Sequence, residues 1–395
     1  MSIQRKKFDA TIGVSFLMFI VLGLPDALLG LAWPSMREEF GLPLDAIGAF
    51  LVAFTLGFVL TSFNSGALIG RFGVGQLMIL ATVIRGAALI GVLLAPSWAV
   101  VVLLAGVMGV GTGMIDSALN TYVATYQSNR LMNWLHAAFG VGAMIGPLGM
   151  TALFSADVAW QWGYALVGIV QFLMVIPFLL TLSRWRIDGG TADTPAPKTA
   201  PIWQTLRLPL ALIGIAIFAL FSGLEFGTGQ WAFTLFTEEL RIPLTLGDFD
   251  VHLFSEGRGI DPTIAGVFVA MYYGSFTLGR IFFGLVNWPE ARVIRGCIAA
   301  IILGTALIWV RDMPTLNLVG LVILGFAIAP LFPMFINSTA ARMSPRHAPN
   351  AIGFQVGAAA LGAAIFPWLI GIAAERAHIE VIAPAFMLMG ISLIG

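Results

Sequence analysis

Apolar positions along this chain come in long runs of Leu, Ile, Val, Phe and Met, broken by short polar stretches. Each run approaches or exceeds the ~20 residues that carry a helix across a bilayer. The short alternating segments of a transmembrane barrel are missing. The runs place spans at 11–33, 46–68, 76–95, 98–124, 133–154 and 160–183, then at 209–236, 263–286, 292–310, 316–338, 350–373 and 380–395. The last is short: the chain stops at Gly395 inside an apolar run, so helix twelve reads as cut off. The expected fold is an all-α integral membrane protein of about twelve helices in two pseudo-symmetric six-helix bundles.

Two stretches interrupt the pattern. Residues 184–208 are polar, contain Pro195, Pro197 and Pro201, and read as a linker. They divide the chain into a bundle over 1–183 and a bundle over 209–395. Residues 238–262 join spans seven and eight and are acidic, with Glu238, Glu239, Asp248, Asp250, Glu256 and Asp261. The halves echo each other. Gly23-Leu24-Pro25-Asp26 in span one matches Gly223-Leu224-Glu225-Phe226 in span seven, each putting a carboxylate just after Gly-Leu. Ile47-Gly48-Ala49-Phe50 matches Ala265-Gly266-Val267-Phe268, and Asn120 in span four has its counterpart in Asn337 of span ten. Matches in the same helix order argue for duplicated halves, as in secondary transporters.

Composition supports the class: 59% of residues are hydrophobic and 10% charged, against roughly 25% charged in a soluble domain. The net charge of zero gives no electrostatic case for nucleic acid. Cys297 is the only cysteine, and His136, His252, His347 and His378 are scattered, so neither a disulfide framework nor a protein-bound metal is expected. Arg5-Lys6-Lys7 precedes a run that is too long for a signal peptide and contains Pro25-Asp26; it reads as a retained first span. With the N-terminus in the cytoplasm, the inner segments hold Arg5, Lys6, Lys7, Arg71, Arg130, Arg184, Arg186, Lys198, Arg207, Arg292, Arg295, Arg342 and Arg346. The outer loops hold Arg37, Arg241, Arg258, Arg311 and Arg376. This 13-to-5 split places both termini in the cytoplasm and the acidic loop outside.

Gly66-Ala67-Leu68-Ile69-Gly70-Arg71-Phe72-Gly73, after span two, resembles the major facilitator superfamily signature Gly-x-Leu-x-Asp-Arg-x-Gly. Gly66, Arg71 and Gly73 match it in place. The Asp position is Gly70 and the usual basic pair is Val74-Gly75, so the charge-paired latch is weakened or built differently. Span five carries Gly142 and Gly146 as a small-xxx-small face, followed by Pro147. This resembles the superfamily's span-five Gly-Pro motif, best known in exporters, although close packing explains the glycines equally well. The acids on spans one and four, Asn120 and the stretch Asn133-Trp134-Leu135-His136 resemble the fucose-permease branch of sugar–proton symporters.

An ionised group at mid-bilayer costs at least ~2.5 kcal/mol on insertion scales. Asp26, Asp116 and Glu225, with Arg85 and Arg280, are placed there. The resemblance implies that helices one, four, seven and ten line a central cavity, and all three acids fall on those helices. Asp116 and Asn120 are spaced i,i+4, as are Phe226 and Gln230, with Trp231 adjacent. Trp and amide side chains suit a polyhydroxylated ligand. Asn337, Gln355 and Arg280 complete the candidate substrate site. Simpler roles stand beside these: Asp26 satisfying a bend at Pro25, Asp116 as a static partner of Arg85, Arg280 bracing Glu225, and Trp33 anchoring at the interface. His136 fits a gate or a cap.

The expectation is a monomeric, multi-pass transporter of the cell (inner) membrane, moving a sugar or similar small polar solute with protons and no cofactor. Glu225, Asp26 and Asp116, in that order, are the candidate proton carriers. The alternatives are a proton-driven exporter of drugs or metabolites and a non-transporting sensor of the same fold. An intramembrane enzyme would need a nucleophile–base pair or an HExxH, and an ATP-driven pump a Walker sequence; the chain has none of these.

Overall fold

In the computed structural model, residues 10–126, 129–185, 200–237, 245–246, 249–250, 259–286, 288–311, 313–344 and 346–394 are described. Eleven helices among them are long and apolar enough to span a membrane. They are α1 (Ala10–Phe40), α2 (Leu44–Phe63), α3 (Ser65–Leu94), α4 (Trp98–Val123), α5 (Trp134–Ser155) and α6 (Gln161–Arg184), then α7 (Pro209–Thr237), α8 (Pro262–Leu285), α9 (Glu290–Trp309), α10 (Pro314–Thr339) and α11 (Asn350–Arg376). A shorter apolar helix, α12 (Ile379–Ser392), follows.

The boundaries expected from the apolar runs hold within a few residues at most ends, with two corrections. Helix α1 extends to Phe40, past the expected end at 33, because Met36 stays buried while Arg37, Glu38 and Glu39 project beyond the apolar run. Helix α3 starts at Ser65, not 76. The Gly66–Gly73 motif is therefore not a loop; its residues are helical up to a kink at Gly73, whose φ of 70° suits a residue without Cβ.

Packing follows the duplication. In the first half α1 packs on α5, α2 and α3 on α4, and α3 on α6; in the second, α7 packs on α11, α8 and α9 on α10, and α9 on α12. Each contact has its counterpart six helices on. The halves meet along α5–α8, α2–α11 and the second part of α1 against α7.

Three helices are interrupted among the described residues, one of them α6 at Met174, between Leu173 and Val175. The first part of α1 ends at Gly23 and the second begins at Leu28; Pro25 lacks the amide that would continue the ladder. Helix α10 is split between Ile328 and Leu331, at Ala329-Pro330. Such breaks survive in a membrane only where protein or a cavity satisfies the freed backbone.

The end bearing the 41–43 turn is the outer end in the orientation expected from the Lys and Arg distribution. There the halves are in close contact. A Cβ at Gly30 of α1 would stand 2.7 Å from the Gly229 and Gln230 carbonyls of α7. Gly48 of α2 leaves the space that the Trp368 ring of α11 fills. The Leu44 amide donates to Glu375 Oε2 at 2.7 Å, a carboxylate from one half capping the α2 N-terminus of the other. Toward the inner end of α11, Gly353 and Gly357 have open space where a Cβ would stand.

Most of the expected linker, and Glu238, Glu239, Asp248 and Glu256 of the acidic loop, lie outside the described residues, as does Lys198. The linker's last part is tied to the turn before α11: Ala200 donates its amide to the Arg346 carbonyl at 2.9 Å, and Asn350 Nδ2 donates to the Ala200 carbonyl at 2.8 Å.

Candidate functional site

Asp26 lies in the turn that interrupts α1, and Glu225 lies on α7 of the other half. Both are partly buried. Three contacts bring their segments together. Gln230 Nε2 reaches the Asp26 carbonyl in a long 3.5 Å contact. The Tyr272 hydroxyl of α8 donates to the Glu225 carbonyl at 2.9 Å. A Cβ at Gly229 would overlap the Tyr273 hydroxyl. Arg280 of α8 is in electrostatic range of both acids, and the acids are in range of each other.

Among the described residues, neither the Asp26 nor the Glu225 carboxylate has a hydrogen-bond donor or a cation within salt-bridge distance. Arg280 does not brace Glu225 directly. It stacks over Phe276 at 4.2 Å and donates from Nη1 to the His136 carbonyl at 3.2 Å, crossing the α5–α8 seam. His136 itself sets its ring edge-on to Phe19 at 5.4 Å.

Asp116 accepts from Asn120 Nδ2 at 3.0 Å, the contact that their i,i+4 spacing on α4 permits. The pairing of Asp116 with Arg85 is corrected: Arg85 donates to Gln171 Oε1 and to the Leu22 carbonyl, each at 2.9 Å, and forms no ion pair with Asp116.

The candidate substrate residues do not all gather in one place. Gln230 sits at the seam between α1 and α7, buried, with its Oε1 unpartnered. Phe226 is partly buried one turn earlier. Trp231 is fully buried between α7 and α11, donating from Nε1 to the Pro367 carbonyl at 2.8 Å. Gln355 is buried within the second half, its Nε2 donating to Thr339 Oγ1 at 2.8 Å. Asn337 is exposed. Trp231 and Gln355 thus join helices of one bundle rather than facing a shared pocket. Sequence spacing assigns a helix face but does not say which neighbour that face meets. Trp33 is likewise no interface anchor: it is fully buried, with its ring centroid 5.4 Å from that of Trp98.

The glycine motifs resolve into packing and exposure. A Cβ at Gly142 or Gly146 would overlap the carbonyl of Ile20 or of Leu24, so this face lets α5 approach α1 beside its break; Pro147 is buried next to it. Gly66 and Gly70 have open space around them, and Arg71 is exposed, its guanidinium 5.5 Å from the Phe72 ring. Tyr272 and Tyr273 were not singled out by the sequence, although Tyr272, Phe276 and Arg280 recur every four residues and so share a face of α8.

A membrane domain of two six-helix halves, with interrupted helices and carboxylates at the seam between them, defines the architecture of a secondary transporter. The chain belongs to the Major Facilitator Superfamily, whose family profile matches residues 15–247. It is 23% identical over 392 residues to the glucose/mannose transporter GlcP of Bacillus subtilis (strain 168), covering 96% of this chain and 92% of that one. It is 26% identical over 174 residues to the class G tetracycline resistance protein of Vibrio anguillarum, covering 42% of this chain and 44% of that one. Among solved structures it is similar to the nucleoside transporter NupG, with a TM-score of 0.76, 14% identity and 98% of each chain covered.

Proposed function

We propose that this protein is a proton-coupled symporter of a sugar or similar small polar solute, lying in the cell membrane with both termini cytoplasmic. The carrying observation is the pair Asp26 and Glu225. They sit on opposite halves, within electrostatic range, and without a hydrogen-bond or ion-pair partner among the described residues. A carboxylate kept in a membrane without a fixed counter-ion is placed to take up and release a proton. Because one acid moves with α1 and the other with α7, opening the outer seam separates them, and their proton affinities change with the state of the transporter. Alternating access then couples proton and solute flux. Asp116, held by Asn120, is a third candidate, and Gln230, Phe226 and Asn120 are the polar and aromatic groups best placed beside the acids. The open space near the inner end of α11 fits an inward-facing state. Transport without catalysis agrees with the names of the relatives.

Sugar is favoured as substrate class by the near full-length similarity to a glucose/mannose transporter. In proteoliposomes with an inward proton gradient, the wild type should accumulate radiolabelled glucose or mannose. Glu225→Gln should abolish that uphill uptake while leaving counterflow exchange, which needs no net proton movement. Accumulation that survives in Glu225→Gln, Asp26→Asn and Asp116→Asn would place the coupling elsewhere. A second reading, a proton-driven exporter, is favoured by Gly146-Pro147 in α5 and by the half-length similarity to a tetracycline resistance protein. It predicts that the same vesicles move tetracycline against the proton flux and ignore both sugars.

A further inference from the structure

Arg85 takes no part in the reading above, yet its position is a costly one. It is 3% exposed within the first bundle, and a buried charge requires compensation. A carboxylate does not provide it at contact distance. Nη1 donates to Gln171 Oε1 on α6 and Nη2 to the Leu22 carbonyl on α1, each at 2.9 Å. Gln171 is itself fully buried. Gly111 of α4 keeps the way clear, since a Cβ there would stand 2.7 Å from the Cβ of Arg85.

The Leu22 carbonyl is a particular acceptor. In a continuous helix it would take the amide four residues on, that of Asp26. The chain turns at Leu24-Pro25, so the Asp26 amide goes to the Gly23 carbonyl at 3.1 Å and the Leu22 carbonyl is freed. Arg85 supplies the donor that the break removed. It is also in electrostatic range of the Asp26 carboxylate. The other charged or titratable groups in range of Asp26 are Glu225 of α7 and Arg280, Tyr272 and Tyr273 of α8. All of these belong to the opposite half; Arg85 alone among them moves with the α1 break and holds its backbone.

We propose that Arg85, oriented by Gln171, is a positioning residue for Asp26: it ties down the break that carries the carboxylate, and its fixed charge sets the pH at which that carboxylate is protonated. The inference rests on reading Asp26 as a proton-binding group.

Infrared difference spectroscopy of the full-length protein in lipid, stepped through pH, tests this without a substrate. The protonated-carboxyl band lost in Asp26→Asn belongs to Asp26. In Arg85→Gln its midpoint should move to higher pH by about one unit, because loss of a positive neighbour lets the proton stay at lower proton concentration. Arg85→Lys, which keeps the charge, should remain closer to the wild type. Should Arg85→Gln fail to fold, Gln171→Glu carries the test: it leaves Arg85 in place, sets a negative charge against it, and should raise the midpoint in the same direction. An Asp26 band that is present but unmoved in the folded variants overturns the inference alone and leaves Arg85 a structural brace. If Asp26→Asn removes no band, the reading of Asp26 fails, and this inference with it.

Discussion

Trp231 shows how a single residue divides between packing and function. Its indole donates to the Pro367 carbonyl across α7 and α11, and no side of it is open. Trp231→Phe should keep pH-driven uptake while lowering stability by about 1 kcal/mol, the net worth of one buried hydrogen bond. Thermal inactivation in detergent reads the loss. Retained stability together with a raised KM would return Trp231 to the substrate site. The acids behave differently because no described neighbour consumes their charge. Sequence made them visible, since a carboxylate inside an apolar run is conspicuous. The lack of partners at Asp26 and Glu225 was not visible, because it depends on where Arg85 and Arg280 direct their nitrogens.

At the scale of the element, glycines decide which helices touch. Gly142 and Gly146 admit the α1 backbone beside its break. Gly142→Leu forces that contact apart and should destabilise the first bundle by about 1–3 kcal/mol, or more if the backbone cannot yield. A thermal transition equal to the wild type would show that α5 does not pack there. The outer latch is the contact of Glu375 with the α2 N-terminus. Glu375 is exposed and the contact only part-buried, so its contribution to the closed state is about 1 kcal/mol, roughly a fivefold shift in population. In Glu375→Ala, a cysteine introduced at Gln230 should react faster with an outside thiol reagent than in the parent; an unchanged rate would mean that Glu375 caps α2 without holding the gate.

At the scale of the whole molecule, the Lys and Arg distribution sets the expected orientation, through the membrane rather than through contacts. A tag inserted at Pro195, outside the described residues, should be reachable only from the cytoplasm, and one at Asp250 only from outside. Labelling of position 250 from the inside would reverse the orientation, and with it the assignment of the closed end as the outer one. The pattern of helix contacts repeats between the halves, so the α5–α8 and α2–α11 seams are counterparts.

The spans, apart from the end of α1 and the start of α3, the duplication and the acids within apolar runs were legible in the residues alone. These follow from transfer of single residues between water and hydrocarbon, a property each residue carries alone. The break in α1 was legible too, because Pro25 removes its own amide. The rest came from how the helices pack. That packing sent Arg85 to the Leu22 carbonyl instead of to Asp116, buried Trp33, turned Trp231 and Gln355 into braces within one bundle, and brought Tyr272 and Tyr273 against the α7 backbone. Those outcomes depend on which helix stands beside which, at what height and rotation. Hydrophobicity that is uniform around a helix does not encode that choice; only the packing of several helices together fixes it.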